Sequence, residues 1–97
     1  MTKLESMAPA NDGTHKYKAV FLRPDGKKKT TYFGAAGMDD YTKTHDKEQR
    51  DRYRDRHMKD LITNDPTRAG FRTYYILWGD STSFKKNLSA YKRRFNL

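Results

Sequence analysis

Five side chains in the middle of this 97-residue chain have the chemistry of a metal-dependent nuclease: Asp39, Asp40, His45, Asp46 and His57. Carboxylates and imidazoles can hold a divalent ion that activates water against a phosphodiester. Their spacing matches no metal-binding motif, however, and the sequence has neither a glycine-rich phosphate loop nor a nucleophile elbow. Asp39 and Asp40 stand where residues cap a short helical turn, and His57 follows Tyr53 by four, on the helix face that should meet a core. The expectation is a protein that is not an enzyme, with no metal, no cofactor and no small-molecule substrate; a nuclease is the least favoured reading.

A second chemistry, neutralisation of phosphate, is open to the basic residues. Lys+Arg number 21 against 12 Asp+Glu, a formal net charge of +9, and such a balance attracts polyanions. The stretch "KEQRDRYRDRHMKD", Lys47 to Asp60, looks the most basic, yet from Asp39 to Asp60 seven acids meet seven bases. The excess lies elsewhere. Lys16 to Thr30 holds six bases and one acid, and Phe84 to Leu97 holds five bases and no acid.

The candidate phosphate contacts are therefore Arg23, Lys27, Lys28 and Lys29, together with Lys85, Lys86, Lys92, Arg93 and Arg94, with arginines on the flanks of the middle segment as helpers. No zinc-finger spacing, ribonucleoprotein aromatic motif or helix-turn-helix is present, so the expected partner is the phosphate backbone of DNA or RNA, bound with little sequence specificity. Tyr17, Tyr32 and Tyr91 lie among the bases and are able to stack on single strands. Core packing is the commoner use of such rings.

The elements that must position these residues follow from local pattern. In "KYKAVFLRPDGKKKTTYFG" two β-rich runs flank Pro24-Asp25-Gly26, which predicts a hairpin over 16–33 with Arg23 facing Lys27, Phe21 facing Lys29, Ala19 facing Thr31 and Tyr17 facing Phe33. Gly34 and Gly37 then allow positive φ or close backbone approach. A helix over about 46–61 should turn Gln49, Tyr53, His57 and Leu61 inward, set an acidic ridge of Glu48, Asp51 and Asp55 behind, and make the i, i+4 pairs Asp46–Arg50, Glu48–Arg52 and Asp55–Lys59. Asp65 as N-cap, Pro66 at the first helical position and Gly79 past the end frame a core helix over 66–78. A last helix over 82–95 shows Phe84, Leu88, Tyr91 and Phe95 on one face and bases on the other.

The predicted architecture is α+β: an N-terminal β-hairpin packed on about three α-helices, one domain over 16–97 preceded by a flexible tail at 1–15. Only 34% of residues are hydrophobic and mean hydropathy is −1.17, so an aromatic core is expected. No cysteine is present, which excludes disulfides and thiolate metal sites. The longest apolar run, Tyr74 to Trp78, is far short of a membrane span and the N-terminus has no secretory h-region, so a soluble protein with no membrane partner is expected.

The strings "KYKAVF", "FGAAGMDDYT", "DPTRAG", "YYILWG" and "YKRRFNL" resemble an uncharacterised family of short basic proteins encoded by large nucleocytoplasmic DNA viruses of algae and amoebae. The likeness spans roughly Lys16 to Leu97. It implies a setting in the virion or the infected host cell, nucleus or cytoplasm, and carries over no catalytic residues. A virus with a large duplex genome must neutralise phosphate in a confined particle, which favours a virion-associated nucleic-acid binder. The alternative is a minor capsid-associated protein whose bases and tail contact acidic surfaces of capsid or other virion proteins.

Overall fold

The turn at Arg23 to Lys27 closes in the predicted register. Gly26 N–H donates to the Arg23 carbonyl at 3.0 Å and Arg23 N–H to the Lys27 carbonyl at 2.9 Å. Gly26 takes φ 85°, a region that glycine enters without Cβ strain. The strands it joins, β2 (His15–Leu22) and β3 (Lys28–Ala35), pair Phe21 with Lys29, Ala19 with Thr31 and Tyr17 with Phe33. The structure is a computed structural model describing residues 2–97.

The segment expected as a loose tail is instead a third strand, β1 (Lys3–Pro9), antiparallel to β2, which makes β2 central in the order β1-β2-β3. Asn11-Asp12-Gly13 forms the connection: Asp12 Oδ1 accepts from Thr14 and His15 N–H at 2.9 and 2.8 Å, and Asn11 and Gly13 take φ 57° and 76°. These bonds from the His15 and Thr14 amides, and the His15 ring, draw the Asp12 carboxyl down to about 2. The turn signal was visible in the sequence. The strand was not, because β1 turns only Leu4 and Met7 to the core, and its order comes from the pairing.

The helical half covers one face of this sheet. α1 (Tyr41–Thr44) leads to α2 (Lys47–His57), whose N-cap Asp46 accepts from Gln49 N–H at 3.1 Å. The helix stops short of the predicted Leu61: from Met58 to Thr63 it tightens into a 3₁₀ turn closed by Asn64 at φ 53°. The next helix also starts late. Asp65 Oδ1 takes the Thr67 N–H (3.0 Å) and hydroxyl (2.6 Å), which makes a turn over Pro66 in place of an N-cap. α3 (Ala69–Arg72) begins four residues on and widens directly into a π turn, Thr73–Leu77. α4 (Phe84–Arg94), capped by Ser83, completes the chain. Among the described residues no helix is long and apolar enough to cross a membrane.

The core is aromatic, as composition demands. Phe21, Phe33, Ile76, Leu77 and Tyr91 are almost wholly enclosed, each such side chain contributing roughly 1.5–3 kcal/mol of transfer free energy. Phe84 of α4 stacks on Tyr17 at 4.5 Å, and Phe95 meets Phe71, Tyr75 and Tyr91 edge-on. Amid these rings lies a cation. Arg72 is 1% exposed, its guanidinium 4.8 Å from the Phe33 ring and 5.5 Å from Phe21. It reaches the Thr31 carbonyl at 3.4 Å while its Nε has no hydrogen-bond partner among the described residues. Burial draws its pKa down to about 10.

Two glycines are required by contact. A Cβ at Gly79 would stand 2.3 Å from the Tyr75 carbonyl and 2.6 Å from Asn87 Cγ, and one at Gly34, already at φ 75°, would meet Leu77 at 2.9 Å.

Candidate nucleic-acid interface

The hairpin tip is a rigid mount for its charges, since Asp25 also accepts from Lys27 N–H at 2.9 Å. Arg23, Lys27, Lys28 and Lys29 are all exposed. Lys28 is bridged to Glu5 of β1 at 2.7 Å; the other three make no ion pair among the described residues. On α4, Lys85, Lys86, Lys92 and Arg93 are likewise exposed and make no ion pair among the described residues, while the exposed Arg94 makes none either but adds its charge to the field on Asp80. The helix buries the opposite side, Asn87 and Tyr91, with Phe84, Leu88 and Phe95 packed on the core.

The fold brings part of this set together. The Leu97 carbonyl accepts from Leu4 N–H at 3.1 Å and Lys3 Nζ donates to the Asn96 carbonyl at 3.3 Å. Lys3 is opposite Leu22, the last residue of β2 before the tip. The end of α4, with Lys92 and Arg93, therefore sits at the tip end of the sheet, and Lys3 links the two. Lys85 and Lys86 are elsewhere: their turn of α4 abuts Tyr17, five residues back along β2, which is about 17 Å of strand. Sequence reading missed Lys3 because its segment was taken as tail.

The long helix behaves differently from its pattern. Glu48, Asp51 and Asp55 are exposed and Tyr53 faces inward, lying between Trp78 (4.4 Å) and His57 (4.1 Å); burial, then the Asp60 charge, pushes its hydroxyl up to about 12. The acid-first i, i+4 pairs are not made. Arg50 is buried, holds Asp51 at 3.0 Å and lies over Tyr41. Arg54 donates to the Trp78 carbonyl and to Asp80, both at 2.8 Å. The arginine flank thus turns toward residues 78–80. There the Asp80 carboxyl is held below its ordinary range by the Arg54 hydrogen bond and by the charges of Arg54, Arg50 and Arg94.

Each member of the nuclease constellation has a structural partner or position. Asp40, buried to 3% exposure, bonds Lys16 and Thr42; Asp39 lies 3.8 Å from Lys43; His45 ends α1 at φ 58°; Asp46 caps α2; His57 bonds Asp60 at 3.0 Å. Among the described residues no three His, Asp or Glu side chains gather to hold a metal. Of the tyrosines proposed for stacking, Tyr91 is buried and Tyr17 is packed on Phe33 and Phe84, while Tyr32 is exposed beside His15.

Residues 6–57, more than half of the chain, match the model of a family described as a family of unknown function, DUF5754. The chain belongs to this family. The part that matches DUF5754 runs from Ser6 in β1 through the hairpin tip to His57 at the end of α2. No curated protein and no solved structure matches this DUF5754 chain.

Proposed function

We propose that this protein is a non-enzymatic binder of nucleic acid that acts through phosphate contacts with little sequence specificity. The observation that supports this reading is the set of exposed bases on the hairpin tip and α4 of which, among the described residues, only Lys28 is held in an ion pair; Lys3, opposite Leu22 and bonded to the Asn96 carbonyl, lies between the two elements. Unpaired surface cations keep their full attraction for phosphate, whereas paired ones must first give up a partner. Arg23, Lys27, Lys29, Lys92 and Arg93 make the principal contacts, with Lys28, Lys85, Lys86 and Arg94 extending them. The setting is the one implied by the likeness to viral proteins: virion or infected cell, with a genome to neutralise.

The capsid-associated alternative has less support. It relied on a tail free to order on assembly and on exposed apolar surface near Tyr17, Phe21 or Trp78. Residues 3–9 are already a strand, and Phe21 and Trp78 are buried.

Fluorescence anisotropy with a labelled duplex across a salt series tests the proposal. Binding should weaken by roughly a hundredfold or more between low and moderate salt as counterions are released. Absence of binding at low salt, or affinity indifferent to salt, overturns it.

A further inference from the structure

Between α2 and α4 lies a cleft of about 360 Å³ that has Arg54 on one rim, Arg94 on the other, and Tyr74 and Tyr75 between them. Each guanidinium lies over a ring: Arg54 is 5.7 Å from the Tyr74 centroid and Arg94 is 5.0 Å from Tyr75. The volume is at the lower end of the roughly 300–1,000 Å³ usual for ligand sites. The geometry points to a seat for one nucleotide of a single-stranded nucleic acid, with its phosphate on Arg54 and Arg94 and its base against the tyrosine and guanidinium planes. This inference rests on the proposed function and names the form of nucleic acid that this cleft takes.

Three features support it. Arg54 is already oriented, because its Nε is tied to the Trp78 carbonyl, a bond that a phosphate replacing Asp80 leaves in place; a preordered guanidinium loses less entropy when it takes a phosphate. Asp80 is an anion in place, its side chain 94% exposed, and its carboxyl feels Arg50, Arg54 and Arg94 together, so a phosphate can displace it without leaving the arginines uncompensated. Finally, stacking on aromatic rings and guanidinium planes is how unpaired bases are held. The bases of a duplex are stacked inside the helix and cannot reach rings recessed between two helices. A single strand can turn one base inward.

The test compares a short labelled oligothymidylate with a duplex of equal length, using the full chain. Tyr74→Ala should weaken the single strand roughly 5- to 150-fold and leave the duplex unchanged. Asp80→Asn, which removes the competing anion, should tighten the single strand alone. Should Tyr74→Ala lower the melting temperature, the exposed Arg94→Gln serves instead, with a greater loss for the single strand than for the duplex. Equal effects on both forms, or none on the single strand, overturn the cleft assignment and leave phosphate binding standing. Failure of the wild-type protein to bind either form overturns both.

Discussion

The Tyr53 ring lies nearly parallel to the Trp78 indole, 8° between planes and 4.4 Å between centroids, and this stack joins α2 to the rest of the molecule. Little else on α2 is apolar, so its docking depends on one ring and on Arg50 and Arg54. Tyr53→Ala should cost about 2–3 kcal/mol, below a fully buried aromatic because one edge meets solvent. Trp78 is the single tryptophan; its emission should shift to the red in the folded variant, and urea melts monitored by it give the free energy.

Asn87 holds the turn between the π segment and α4. Its Nδ2 donates to the Ile76 carbonyl at 2.8 Å and the Ser81 carbonyl at 2.6 Å, and its Oδ1 accepts from Ser81 N–H at 2.9 Å. Asn87→Ala removes three bonds and leaves the buried Ile76 carbonyl and the half-buried Ser81 backbone groups without them, a loss of about 3 kcal/mol. Asn87→Asp should be at least as harmful at neutral pH, since a carboxylate would face two carbonyl oxygens. Thermal melts of the two variants check both statements.

Arg72 is a buried cation with no carboxylate paired to it among the described residues. Replacing a desolvated charge by an apolar side chain of similar size is often neutral or stabilising, so Arg72→Met should melt at or above the wild-type temperature. Arg72→Ala, which leaves a cavity against Phe21 and Phe33, should lose about 3 kcal/mol. A Met variant as unstable as the Ala variant would mean that the guanidinium itself holds the sheet to α3.

The alkaline limit of stability should follow the buried tyrosines. Burial raises Tyr53 to about 12 and raises Tyr91 and Tyr17 above their ordinary value of 10. A raised folded pKa means that the native state holds the proton longer. Stability from these groups is therefore complete below pH 10 and falls as pH rises through the folded values. Absorbance titration of the seven tyrosines should show a late class, with the melting temperature falling from about pH 10 upward.

Charge removal on α4 should depend on position. Lys92→Gln with Arg93→Gln should lower the slope of log affinity against log salt by about two, because the end of α4 lies beside Lys3 at the tip end of the sheet. Lys85→Gln with Lys86→Gln should lower it less for a short duplex, which spans one end of the helix only. Equal slopes for both pairs would mean that the tip and α4 do not act together.

Local rules determined much of this molecule. Pro24-Asp25-Gly26 set the hairpin register because a two-stranded turn is settled by the φ values of its own residues, and Phe84, Leu88, Tyr91 and Phe95 named the inner face of α4 because an amphipathic period survives any tertiary context. The charge excess on the tip and α4 was legible for the same reason, since summing charges needs no coordinates. Packing decided what those rules leave open. β1 exists because β2 offers it an edge; α3 starts late because Asp65 bonds Thr67; Arg72 enters the core because Phe21 and Phe33 face it from the sheet. The arginines of α2, cancelled by neighbouring acids when read along the chain, part from Glu48 and Asp55 once folded: Arg50 keeps Asp51, but it and Arg54 turn toward Asp80 while Glu48 and Asp55 stay in water. Charge cancels along a sequence, but a ligand meets it across a surface, and only the tertiary structure brings Arg54 and Arg94 to opposite sides of one cleft.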